Sequence, residues 1–321
     1  MIRFIVRRLL LMIPTLIGIT ILIQLLMIVT PGDPVDIMMG SNYTKEEKEA
    51  FREELGLNDP IHIRYINYLK DMFLHGDFGT SFRTKTPALQ EILKRYSYTI
   101  LLVSTSMVLA ICIGIPIGIF AATHQNTWKD NAAIIASLFC VSMPSFWFAL
   151  ILIQLLCVRF ELLPVSGVDT WKGWVLPVFT LALGYAASIA RQMRSNMLEI
   201  IRQDFITTAR SKGQTITKVR YKHALKNAVI PVIMTVGSTF GIAIGGSMVT
   251  EVIFSLPGLG SYTFGALTAR DYPVIQTSVL FLSVVFAFVL LLVDIAFALV
   301  DPRIRAQYAR KKKKMARRAA L

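Results

Sequence analysis

Apolar blocks of about twenty residues, a charged fraction of only 17%, and cations gathered in alternate connecting segments predict an all-α integral membrane protein with six transmembrane helices. The 321 residues are 54% hydrophobic, with a mean hydropathy of +0.57. A soluble domain carries about a quarter charged residues, and a block of roughly 20 apolar residues crosses a hydrocarbon core of about 30 Å as a helix. These features exclude a soluble enzyme, a nucleic-acid-binding module and a disordered regulator. The net charge of +14 is what cation-rich cytoplasmic loops produce, so it calls for no nucleic-acid partner.

The first span, Leu9–Val29, follows Arg3, Arg7 and Arg8. Its apolar stretch is about twice a signal-peptide core and runs into Thr30-Pro31-Gly32-Asp33 with no small-x-small cleavage site, so it reads as a retained helix. The segment from Pro31 to Tyr98 is long enough to fold. Thr44-Lys45-Glu46-Glu47 is a capping-box pattern that opens a polar helix to about Leu55, where Gly56 stops it. Asp59 and Pro60 form an N-cap and first-turn pair. Ile63, Ile66, Tyr68, Leu69 and Phe73 then mark an amphipathic helix ending near Gly76, and a third short helix starts at Pro87.

Five further spans follow: Thr99–Thr123, Ala132–Val158, Trp174–Ala190, Val229–Ile253 and Val274–Val300. With the N-terminus cytoplasmic, the inside segments hold 22 cations against four acids, while the outside segments hold 12 cations against 15 acids, counting Glu251 at the outer edge of the fifth span among them. The positive-inside rule therefore places both termini in the cytoplasm, with an even number of crossings.

The internal segment Arg191–Asn227 has apolar faces at Ile206, Ala209, Ile216, Val219 and Leu225, with Arg210, Lys212, Lys218, Arg220, Lys222 and Lys226 supplying charge. Gly213 interrupts the pattern, which predicts two short helices and a turn. A basic amphipathic stretch of this kind either lies on anionic lipid or docks a partner.

Signatures of catalysis are missing from the sequence. His62, His75, His124 and His223 fall on both sides of the membrane, so no shared metal site is expected, and there is no GxxxxGK[ST] phosphate loop. Cys112, Cys140 and Cys157 are an odd number without CxxC spacing and read as packing residues. Asp294 is the clear ionisable group within the spans; it lies two turns from the inner end of the sixth, within reach of Arg303 or Arg305 for structural pairing. In the fifth span Gly237, Gly241 and Gly245 recur at every fourth position and Gly246 follows; Gly114 and Gly118 do the same in the second. Such faces serve close helix packing, or a helix that lines a path and slides against a partner.

At the internal segment the sequence becomes specific. Asp204-Phe205-Ile206-Thr207-Thr208-Ala209-Arg210-Ser211-Lys212-Gly213, with Tyr221 to Pro231, resembles the EAA loop of ABC importer permeases, in the form typical of the dipeptide/oligopeptide/nickel family. Thr207, Thr208, Ala209 and Gly213 fall on the Glu-Ala-Ala…Gly positions. The departures at Thr207 and Thr208, and Lys226 where other importer families have proline, are typical of the peptide subfamily. Pro31-Gly32-Asp33-Pro34, Leu55-Gly56-Leu57, Gly76-Asp77-Phe78-Gly79-Thr80-Ser81, Ser142 to Phe146, Glu251 to Gly260, Arg270-Asp271-Tyr272-Pro273 and Val300 to Arg305 resemble that family's first permease subunit.

The resemblance implies a type I ABC importer permease fold, divided into an N-terminal transmembrane helix (1–30), an extracytoplasmic helical cap (31–98), a five-helix core (99–305) with the coupling loop at 191–228, and a basic cytoplasmic tail (306–321). It also implies a second homologous permease as heterodimer partner, two cytoplasmic ABC ATPases that carry ATP and Mg, an extracytoplasmic substrate-binding protein, and residence in a bacterial or archaeal cell membrane. This chain itself would bind no cofactor or metal and catalyse nothing. Thr207, Thr208, Ala209, Arg210, Ser211, Lys212 and Gly213 would couple it to the ATPases, with Thr208 and Ala209 seated in an ATPase groove. Gly237, Gly241, Gly245 and Gly246 would pack along the translocation path. Di- and oligopeptides are the implied cargo, with nickel chelates, glutathione and opines as alternatives. Two other classes remain at this stage: an ion-coupled secondary transporter using Asp294, and a membrane scaffold or secretion component.

Overall fold

Helices account for nearly all of the computed structural model, which describes residues 2–30, 32–39 and 43–300, with side chains from residue 5 to residue 296. Five stretches are long and apolar enough to cross a membrane: α1 (Ile2–Val29), α5 (Ala88–Thr123), α8 (Trp171–Ile201), the run Ile216–Gly246 that ends in α11 (Leu225–Gly246), and α14 (Tyr272–Val300). Most of these are longer than their hydropathy predicts. α5 begins eleven residues before Thr99, and α8 continues eleven residues past Ala190, carrying Arg191, Arg194 and Glu199. Hydropathy marks where lipid begins and ends. The backbone ladder continues into water because each added residue gains its own hydrogen bond.

The third span departs from expectation. Ala132–Val158 divides into α6 (Trp128–Ser142) and α7 (Ser145–Leu152), and α7 continues as a π turn over Ile153–Arg159. The two halves meet at 97°. Pro144 sits at the corner: it has no N–H to donate and pushes the preceding residue out of the helical region. Met143 accordingly has ψ 124°. The fifth span is also displaced: its helical run starts at Ile216, ahead of Val229, and falls short of Ile253, with α11 stopping at Gly246. Beyond it come α12 (Met248–Ile253) and α13 (Leu259–Ala269), the latter a helix that apolar run length did not reveal.

Between the first two spans lie α2 (Pro34–Met39), α3 (Lys45–Glu54) and α4 (Ile61–Lys70). The capping box forms as its spacing predicts: Glu47 N donates to Thr44 Oγ1 at 3.3 Å and Thr44 N to the Glu47 carboxylate at 2.8 Å. Gly56 follows α3 at φ +63°. α4 starts one residue later than expected, with Pro60 as its cap and no cap bond from Asp59, and continues as a π turn to His75 before Gly76 ends it at φ +65°. Its inward side is only partly the expected one, keeping Tyr68 and Leu69 and adding Tyr65. Tyr65, Tyr68 and Leu69 turn inward, whereas Ile63, Ile66 and Phe73 are exposed. No separate helix starts at Pro87; that turn is the beginning of α5.

The chain forms two compact units. One comprises the residues through Val103, Phe148–Pro177 and Ala243–Ala287; the other comprises Ser104–Trp147, Val178–Ile242 and the chain from Phe288. The first has a core of Ile23, Met27, Ala88, Ala266, Tyr272, Val274 and Ile275. The second buries small and flexible side chains, among them Ala110, Ala182, Ala186, Ile189, Met193, Met197 and Ala228. The basic tail and the 301–305 motif lie outside the described residues, as do Arg303 and Arg305.

Candidate functional site

The internal segment forms two short helices, as expected: α9 (Asp204–Ser211) and α10 (Ile216–Lys218), the second running through a π turn at Val219–Ala224 into α11. Gly213 turns the chain between them at φ +72°, a left-handed conformation that glycine adopts without a Cβ penalty. Lys212 N donates to Thr208 O at 3.1 Å and Gly213 N to Arg210 O at 2.9 Å, which closes the last turn of α9. Ile206 and Ala209 anchor the helix in the same core as Met193, Met197, Val219 and Ala224. Thr207, Thr208, Arg210, Ser211, Lys212 and Gly213 are exposed.

This arrangement corrects the role expected of Ala209. Its methyl group faces the chain's own core, because only Ile206 and Ala209, three residues apart, share the buried side of so short a helix. The face left open to a partner is that of Thr207, Thr208 and Ser211.

Two ties fix the platform beneath α9. Arg194 on α8 pairs with Asp130 on α6 through two bonds, Nε–Oδ1 at 2.6 Å and Nη2–Oδ2 at 2.7 Å, and Asp130 also accepts from Asn126 N at 3.1 Å. Asp130 is 1% exposed, so a bidentate fork with a third donor is the geometry that makes its burial tolerable. Asn196 Nδ2 donates to Ala228 O at 3.2 Å, joining α8 to the start of α11.

The glycine faces divide by role. A Cβ on Gly114 or Gly118 would stand 2.6 Å from Ala186 O or Ala190 O, so the α5 backbone lies directly on α8. One on Gly237 would stand 2.2 Å from Val293 Cγ2 of α14. Gly241 is buried, whereas Gly245 and Gly246 are exposed. Packing within this chain therefore explains Gly237 but not the last two. Beside Gly237 an apolar cleft of 310 Å³ opens between α11 and α14, lined by Ile230, Ile233, Met234, Leu292, Val293 and Ala296 among others. Asp294 is half-buried, and the cations expected to pair with it are outside the described residues.

The other unit contains two buried carboxylates that run length and charge counting did not single out. Glu251, on α12, is fully buried. It accepts from Thr99 Oγ1 at 2.8 Å, Ser247 Oγ at 2.9 Å and Ser261 N at 3.0 Å, while Leu259 N donates to Thr99 Oγ1 at 2.8 Å. A Cβ on Gly258 or Gly260 would fall 2.3 Å or 2.9 Å from its Oε2. Both glycines of the Leu256–Gly260 motif thus make room for the carboxylate of Glu251, which precedes that motif in the chain. Asp271 accepts from Ser81 Oγ at 2.5 Å and Phe82 N at 3.0 Å. Gly79 lies against Pro273, and Thr277 Oγ1 donates to Phe78 O at 2.8 Å. Gly76–Ser81 and Arg270–Pro273, remote in sequence, are two sides of one joint.

Known proteins share both the sequence and the fold. Residues 114–306 match the family described as the binding-protein-dependent transport system inner membrane component, and residues 1–103 match the N-terminal region of such membrane components. The glutathione transport system permease protein GsiC of Salmonella choleraesuis is 38% identical over 305 residues, covering 95% of this chain and 99% of its own. The Escherichia coli protein of the same name is 37% identical over the same coverage. Among solved structures, an inward-facing form of the MetNI methionine ABC transporter superposes with a TM-score of 0.57 at 18% identity, covering 67% of this chain and 98% of that one. That likeness establishes the fold alone. Matched over 95% of its length in sequence and over its helical core in structure, this chain belongs to the family of inner-membrane permease components of binding-protein-dependent ABC importers and has the type I importer fold.

Proposed function

We propose that this chain forms one half of a translocation path for short peptides and couples it, through the exposed face of α9, to a cytoplasmic ATPase. The observation that carries the coupling assignment is the division of α9 into two faces. Ile206 and Ala209 tie it to the permease core, Thr207, Thr208 and Ser211 remain uncovered, and Gly213 ends it abruptly. A lever needs both a rigid attachment and a free contact face. Two such ATPases, holding ATP and Mg, would supply the energy that this chain has no phosphate loop to harvest. A second homologous permease would complete the path, with exposed Gly245 and Gly246 available to that interface. A binding protein on the extracytoplasmic side would deliver cargo. Glutathione, named for the relatives at 37–38% identity, is a tripeptide and fits within the short-peptide class.

Six crossings with both termini cytoplasmic agree best with the cation distribution. The bent pair α6–α7 is, taken together, long and apolar enough to count as one crossing, which gives the even number.

Thr208→Trp tests the coupling face. The side chain is exposed, so the permease should insert and fold normally, while ATPase co-purification and binding-protein-stimulated ATP hydrolysis fall. A full ATPase complement with normal uptake would refute the assignment. If lipid binding were the segment's role, Thr208→Trp would be silent, and neutralising Arg210, Lys212 and Lys218 together would release the segment from anionic vesicles.

A further inference from the structure

We infer that α4 and its π turn, Ile61 to His75 within the 31–98 segment, form a lipid-docking element seated in the outer leaflet of the membrane. The first observation is depth. Tyr65 Oη lies 2.9 Å from Thr20 Oγ1 and 3.5 Å from Ile17 O, both on α1. Thr20 is nine residues before Val29, the end of α1, or about 13 Å at 1.5 Å per residue. Counted the other way, it stands eleven residues past Leu9, where the apolar run begins after Arg7 and Arg8. That is about 16 Å into a hydrocarbon layer of about 30 Å. A tyrosine can reach that level only if the helix carrying it lies against the outer part of the span, not above the headgroups.

The second observation is the opposite face. With Tyr65, Tyr68 and Leu69 turned inward, Ile63 and Ile66 point away from the chain, and Phe73 and Leu74 in the π turn are 67% and 75% exposed. Large apolar side chains clustered on one side of a short amphipathic element mark a contact surface. α1 supplies the continuity that identifies the occupant: its own exposed Leu22, Leu25, Leu26 and Val29 lie at this level of a helix that crosses the membrane. Because Tyr65 holds α4 against α1 at that level, acyl chains that coat α1 there would meet the exposed Ile63–Leu74 face next. Exposed Lys70 stands between Ile66 and Phe73 and has a stem long enough to carry its ammonium out of an apolar layer, and the exposed His75–Asp71 pair, 3.5 Å apart, marks the polar C-terminal end of the element. Gly76 then turns the chain out of the segment, and the Thr277–Phe78 bond fastens its return to α14.

Site-directed spin labelling of the assembled importer in phosphatidylethanolamine–phosphatidylglycerol vesicles tests this. In a background lacking Cys112, Cys140 and Cys157, labels are placed by Ile66→Cys, Phe73→Cys and Leu74→Cys, with Leu22→Cys as the acyl-chain control and Glu49→Cys as the aqueous control. Collision with oxygen, which concentrates among acyl chains, is compared with collision with a water-soluble nickel chelate. The oxygen-to-nickel ratio at 66, 73 and 74 should match Leu22→Cys and exceed Glu49→Cys several-fold. A ratio equal to that of Glu49→Cys would overturn the assignment. So would an aqueous ratio that becomes shielded from both reagents when binding protein is added, because the occupant would then be that protein.

Discussion

Glu251 shows how much a single buried side chain can organise. Its carboxylate takes three hydrogen bonds from Thr99, Ser247 and the backbone at Ser261, with no cation among these donors, and Gly258 and Gly260 leave the space it fills. Charge-assisted bonds of this kind are worth more than neutral ones, and removing the acceptor leaves each buried donor with its desolvation cost. Glu251→Ala should therefore destabilise the protein by at least about 2 kcal/mol, counting about 1–3 kcal/mol each for Thr99 Oγ1 and Ser261 N, while Ser247 Oγ falls back on Ile244 O. Glu251→Gln should cost less, because one amide oxygen remains to accept. Thermal unfolding in detergent, followed by size-exclusion chromatography, checks the order. Glu47 gives a pH dependence. The hydrogen bond from Thr44 N, and then that from its hydroxyl, hold the Glu47 carboxyl below its ordinary value. A depressed folded pKa stabilises above the unfolded value of about 4.3 and is lost as pH falls below it. Hydrogen-exchange protection factors over Lys45–Glu54, which remove the intrinsic slowing of exchange in acid, should fall on acidification from pH 6 to pH 3, and Glu47→Gln should flatten that response.

At the scale of elements, close helix packing and sharp breaks do the positioning. α5 approaches α8 so closely that Gly118 has no room for a methyl group, with Ala190 O and Met193 Cβ each 2.6 Å from the ideal Cβ position. Gly118→Ala should cost about 1–3 kcal/mol as an overpacked interface. Gly184→Ala, on α8 with nothing within 4 Å, should be neutral or gain up to about 1 kcal/mol from helix propensity. Melting temperatures of the two variants, measured side by side, separate the effects. The Pro144 corner has the opposite character. It breaks a stretch whose composition reads as one continuous helix, and the run of apolar residues on both sides is what hid the break.

For the whole molecule, parity of crossings decides where every loop lies. Five straight spans alone would put the termini on opposite sides; counting α6–α7 as a sixth returns them to the same side. The cation excess in the segments holding Arg191–Lys226 and Arg303–Arg318 favours the even count. Ala50→Cys should be labelled by an impermeant maleimide from outside intact cells, and Thr215→Cys only after the membrane is opened. Labelling of both from one side would exclude the even topology.

Long-range pairing separates what could be read from what could not. The sequence by itself determined the number of apolar segments, the cap and stop of α3 at Thr44 and Gly56, the two-helix internal segment broken at Gly213, and the family, because these are written in neighbouring residues. Hydropathy is a sum over local composition, and caps and glycine turns act within one turn of helix. Only the tertiary structure decided that Glu251 meets Thr99 across 152 residues, that Asp130 is the partner of Arg194, that Ala209 faces inward, and that Ile66 faces out while Tyr65 reaches α1. Which side of a short helix is buried depends on what another segment brings to it, and periodicity carries no information about that other segment. For the same reason two ordinary-looking acids proved to be buried anchors: a carboxylate's environment is set by donors from distant turns, not by its neighbours in the chain.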